Sequence, residues 1–196
     1  MTMKIQFDSK QQYQLDAVSA VVDIFDGQPL AALDFTSLII EESLPLFQGQ
    51  PRTELGMGHQ LLLSPDKLFK NVRGVQEHND IEFADVNAEL ESWPLLGPNN
   101  EFLRHFYHFS VEMETGTGKT YVYLRTIFEL SKRYGFKKFI IVVPSVAIRE
   151  GVLKNIEITA EHFKALYNNV EFESFVYDAR KVNKLRQFAV SNTIQL

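Results

Sequence analysis

VEMETGTGKTYVY, residues 111–123, decides how the rest of the chain is read. An apolar lead-in is followed by Thr115, Gly116, Thr117, Gly118, Lys119 and Thr120, and then by a run that can start a helix. Glycines let the backbone curl so that its amides converge on anionic oxygens. A helix N-terminus adds partial positive charge at the same place. A lysine there reaches β- and γ-phosphates as a flexible cation, and a threonine hydroxyl binds Mg²⁺. All six residues are therefore candidate nucleotide contacts, with Lys119 in the catalytic role and Thr120 as the metal ligand. The general pattern opens with glycine, where this chain has Met113. A tight Gly-Thr-Gly turn at a helix start is the alternative. Glu112 and Glu114 flank the loop and are expected to point away from bound phosphate, which would repel them.

Downstream of the loop the pattern is regular. Residues 109–113 read as a strand, and residues 119–134 as a helix with Leu124, Ile127, Phe128 and Leu130 on its inner side and Gly135 ending it. KFIIVV, residues 138–143, reads as a fully buried strand stopped by Pro144. A helix is expected over 146–166, a strand over 171–177, a helix over 179–190 and the start of a strand over 193–196. Strands alternating with helices predict an α/β lobe with a parallel sheet covered on both faces. The last strand runs to the final residue, so the expectation is a sheet truncated within its lobe.

Upstream, residues 4–7 read as a short strand, and Asp8 or Ser9 as the cap of a following helix. Tyr13, Ala17, Val21 and Ile24 recur at helical spacing, and Gly27 sits where that helix stops. Residues 28–108 differ in character, holding six of the seven prolines. They read as an irregular α+β insertion, giving segments 1–27, 28–108 and 109–196. Near its end, His105 and His108 lack carboxylate or cysteine partners at ligand spacing. The cluster of Phe102, Phe106, Tyr107 and Phe109 reads as core rather than as a base-stacking surface.

Composition narrows the classes. The 196 residues are 45% hydrophobic and 23% charged, which is ordinary globular usage. No cysteine is present, so neither disulfides nor a thiolate metal site can form, and a reducing cytoplasmic setting is expected. The longest strongly apolar run, residues 139–143, is far short of the roughly 18 residues of a membrane span. The net charge of −5 confines any nucleic-acid contact to a local patch.

METGTGKTYVYLRTIFEL, residues 113–130, resembles the phosphate loop of superfamily 2 helicases, a version in which the first glycine is commonly replaced. IIVVPSVAIREGV, residues 140–152, is similar to the second motif of that lobe. With HFKALYNN and KLRQFAVSNTIQL, these stretches resemble the Res subunit of type III restriction-modification enzymes. The resemblance covers residues 109–196 and, more loosely, 7–25. It implies a RecA-like P-loop lobe that takes ATP and Mg²⁺, within an enzyme driven by ATP along double-stranded DNA before cleavage. Its implied partner is the modification (methyltransferase) subunit.

Gln14 corresponds in that resemblance to a glutamine that reads adenine, a task suited to an amide that both donates and accepts. A surface-helix glutamine beside Gln11 and Gln12 is the alternative. Pro144, Ser145 and Arg149 would contact a DNA strand, at the sheet edge where such folds bind ligands. Ser145 as a plain helix cap with a solvated Arg149 is compatible with either reading. The family's paired acids for Mg²⁺ and water, its second motor lobe and its nuclease domain are not found in these residues. The expectation is therefore a chain inactive alone. Another superfamily 2 translocase without a nuclease, or a stand-alone nucleotide-binding module, stays open at this point.

Overall fold

The computed structural model describes residues 7–30, 61–82, 90, 92–97, 99–178 and 180–196. At its centre is α3, Lys119–Tyr134. Gly118 and Gly135, both left-handed, bound it, and Lys132 and Arg133 complement the negative end of its dipole. Helices α1 (Gln12–Val22) and α4 (Val146–Leu166) both pack against α3, through different stripes. Val122, Leu130 and Tyr134 meet Val18 and Val22 of α1. Tyr121, Leu124, Ile127 and Phe128 meet Ile156 and Phe163 of α4 in the main core. Phe128 stacks on Phe163 at 4.9 Å and on Tyr167 at 5.2 Å. The boundaries of α3 and α4 and the four inner residues of α3 agree with the sequence expectation.

A 3₁₀ turn, Asp23–Phe25, follows α1, and Gly27 then turns the chain with φ +92°. The helix α2, Pro65–His78, starts regularly, with the Ser64 hydroxyl accepting from the Lys67 amide and Pro65 in the first turn. Asn71 of α2 donates to the carbonyls of Ile24 and Asp26, which fastens α2 to the end of α1. An antiparallel hairpin follows, β1 (Ser92–Leu96) with β2 (Phe102–Tyr107). The strands β3 (Phe172–Glu173) and β4 (Ile194–Gln195) are parallel, with the helix α5 (Val182–Val190) between them in sequence. Lys138 adds a parallel bridge to Gln195.

Several sequence expectations are corrected. Residues 109–113 form no strand; pairing occurs earlier, in β2, because β1 supplies a partner only there. Among the described residues, residues 138–143 contribute only the bridge at Lys138. They are not fully buried: Phe139 and Ile141 pack on the core, whereas Ile140 and Val142 are 82% and 87% exposed. That alternation marks one covered face rather than two. The 171–177 strand shrinks to β3, and α5 begins at Val182. Phe102, Phe106 and Phe109 are exposed, so the aromatic cluster is not core.

The expected cap of α1 is also replaced. Gln11 precedes the helix without a side-chain capping bond, while the Asp8 carboxylate accepts from the Lys10 amide and closes a turn. The 4–7 strand falls mostly outside the described residues, and Phe7 is not in a strand. Among the described residues, no helix is long and apolar enough to cross a membrane.

Candidate functional site

Gly116 and Gly118 take φ +84° and +85°, a region that side-chain-bearing residues rarely enter. Between them the loop folds over the carbonyl of Glu114. The Thr117 hydroxyl donates to that oxygen at 2.7 Å, and the Lys119 ammonium donates to it at 2.8 Å. The side chains of Glu112 and Glu114 are exposed. The first helical bond of α3 runs from the Val122 amide to the Gly118 carbonyl at 3.0 Å. Lys119 and Thr120 thus occupy the first turn, at the positive end of the helix.

The second wall comes from more than a hundred residues upstream. Gln14 of α1 is buried, and its Nε2 donates to the Thr117 carbonyl at 2.9 Å. The approach is close, since a Cβ on Gly118 would lie 2.7 Å from Gln14 Nε2. Thr115, Gly116, Gly118, Lys119 and Thr120 line one side of a cavity of about 580 Å³, and Phe7, Gln11 and Gln14 line it too. That volume is typical of small-molecule sites, roughly 300–1,000 Å³. Thr117 is not in the lining; its carbonyl is turned to Gln14. A larger cavity, about 1240 Å³, lies between α1, α2 and residues 108–114. It touches the loop only at Met113, Glu114 and Thr117, without the glycines or Lys119.

Tyr121 and Asn155 also line the smaller cavity. The Tyr121 hydroxyl and His162 Nε2 share a hydrogen bond of 2.9 Å. Burial raises the Tyr121 pKa, while the Arg125 cation opposes the rise. Burial first, and Arg125 second, hold His162 below its ordinary value. Both effects keep this pair uncharged near neutral pH.

Pro144, Ser145 and Arg149 are not among the cavity residues. The Ser145 hydroxyl accepts from the Ile148 amide at 3.3 Å and caps α4. Arg149 is not simply solvated: its Nε and a terminal nitrogen donate to Glu150 Oε1 at 3.2 and 2.9 Å. Pro144 and Ser145 are exposed. Among the described residues there is no group of three or more metal-ligating side chains, at His108 or elsewhere.

Sequence reasoning missed Phe7, Asp8, Gln11, Tyr121 and Asn155 as cavity residues. Tyr121 directly follows the loop and could have been found by adjacency. Asn155 carries no sequence signal, because only the packing of α4 on α3 brings it there.

The family model for the type III restriction enzyme, Res subunit, matches residues 10–195. The chain belongs to that family. It is 30% identical over 183 residues to the type III restriction-modification enzyme EcoPI Res subunit of Escherichia phage P1, covering 92% of this chain and 16% of that protein. It is 31% identical over 153 residues to the EcoP15I Res subunit of Escherichia coli, covering 77% of this chain and 14% of that protein. A shorter match, 47% over 68 residues, is to the StyLTI Res subunit of Salmonella typhimurium, covering 34% of this chain and 7% of that protein. The chain therefore spans about a sixth or less of the length of these relatives. In this Res-family chain the matched span includes both α1 with Gln14 and the whole loop at 115–120.

Proposed function

We propose that this chain forms the ATP-binding part of the motor of a type III restriction enzyme, a RecA-like lobe built on a parallel sheet. The observation that carries this reading is the cavity in which the loop at 115–120 meets Phe7, Gln11 and Gln14. One side offers glycine-flanked amides, a helix N-terminus and the Lys119 ammonium, which suit phosphates. The other offers an aromatic ring and amides, which suit a base. In this reading Thr115 to Lys119 form the phosphate cradle, Thr120 holds Mg²⁺ and Gln14 reads the adenine edge. Bound Mg²⁺ neutralises charge on the phosphate oxygens. Pro144, Ser145 and Arg149 contact the DNA backbone from the start of α4. The parallel pairing of β3 with β4, extended by Lys138, supports the proposed sheet.

The relatives are named as restriction-modification Res subunits. We extend this to a parent enzyme that hydrolyses ATP in a DNA-dependent way, moves along double-stranded DNA and cleaves it beside a modification subunit in the cytoplasm. Segments 1–27 and 109–196 then act as one nucleotide-binding unit around the 28–108 insertion.

The test is Lys119→Ala in the parent enzyme assembled with its modification subunit. The expected result is loss of DNA-stimulated phosphate release and of cleavage, with assembly and methylation retained. Phosphate release at the wild-type rate would overturn the proposal.

A further inference from the structure

Arg125 lies six residues beyond Lys119 on α3 and is buried, 8% exposed. A buried guanidinium is costly unless its hydrogen bonds hold something in place. One terminal nitrogen donates to the Ser9 carbonyl at 2.6 Å, across 116 residues of sequence. Its Nε is buried without a hydrogen-bond partner among the described residues. Ser9 lies within the segment that brings Phe7, Asp8 and Gln11 to the cavity and leads into α1 and Gln14. That segment has an aromatic anchor as well: the Phe7 ring lies 6.0 Å from Tyr121 and 5.3 Å from His162. Arg125 itself does not line the cavity.

We propose that Arg125 is a positioning residue for base selection, its bond to the Ser9 carbonyl setting the base-facing segment against the phosphate-binding helix. The inference rests on the reading that Gln14 and its neighbours face an adenine. Arginine suits the task because it stays charged and donates from the end of a long side chain. Lys119 and the glycines belong to α3 and its own loop, and the base-facing segment meets that loop through the Gln14–Thr117 bond, which is separate from the one Arg125 makes. Discrimination between bases should therefore fall without an equal fall in phosphate binding. A merely structural role would lower both together.

The experiment titrates ATP, GTP and inorganic tripolyphosphate, each with Mg²⁺, into the 196-residue chain and its variants by calorimetry. The wild type is expected to favour ATP over GTP. In Arg125→Met that preference should fall about tenfold, the scale of one charged hydrogen bond. Tripolyphosphate affinity should stay within about twofold, below the effect of one such bond. Arg125→Lys, which keeps a cationic donor, should restore most of the preference. If Arg125→Met does not melt cooperatively, Arg125→Gln replaces it, with the same outcomes required. An unchanged ATP/GTP ratio, or tripolyphosphate binding that falls in step with ATP, would overturn the proposal. A wild-type chain that binds ATP and GTP equally would instead remove the base reading beneath it, and the proposal with it.

Discussion

Gly116 and Gly118 have nearly the same backbone angle but different surroundings, and the difference can be measured. A Cβ at either carries left-handed strain of about 1–2 kcal/mol. At Gly116 the added atom meets nothing within 4 Å, whereas at Gly118 it meets Gln14 Nε2 at 2.7 Å. Gly118→Ala is therefore predicted to destabilise the chain more than Gly116→Ala in urea denaturation, because Gln14 is buried and bonded to Thr117. Equal losses would show that Gln14 gives way freely. The loop glycines and Lys119 are legible in sequence because their chemistry is local. The Gln14–Thr117 bond is not, because it joins positions 103 residues apart. Arg125 is illegible for a related reason: within an apolar helical stripe it reads as an interruption, and its bond to the Ser9 carbonyl appears only when residues 7–11 pack on α3.

At the scale of elements, α3 carries both cores. Phe128 is fully buried and touches Phe163, Tyr167 and Phe172, so Phe128→Ala should cost about 3–5 kcal/mol of unfolding free energy. Arg133 on the same helix pairs with Asp23 while both are half exposed, and Arg133→Ala should cost about 1 kcal/mol or less. His162 on α4 makes a pH prediction. Its folded pKa lies below the ordinary value of 6.5, so below that pH the unfolded chain binds more protons than the folded one. Its contribution is complete above 6.5 and is lost as pH falls from there toward the folded value. The Tm should drop from about pH 8 to about pH 5.5, and the drop should be smaller in His162→Gln. A variant melting with the same pH dependence as wild type would refute this. Helix limits are legible because caps are local: Gly135 closes α3 and Ser145 opens α4. Strands need partners, and among the described residues the run at 138–143 has one only at Lys138, which sequence periodicity does not reveal.

At the scale of the whole molecule, the chain is organised by the return of its N-terminal segment onto α3. Contacts that hold it there include Arg125 to Ser9, Gln14 to Thr117, the Phe7 ring on Tyr121, and the apolar packing of Val18 and Val22 on Val122 and Leu130. Segments that the sequence separates by the proline-rich stretch are thus joined into the two walls of one cavity. The family match spans both. The proposed function requires this cavity to take a Mg²⁺-nucleotide through the loop at 115–120. Its most direct test is calorimetric titration of Mg²⁺-ATP into the wild-type chain and Lys119→Ala. Saturable one-to-one binding by the wild type is expected, with its loss in a variant that melts normally. Undiminished binding by Lys119→Ala would contradict it.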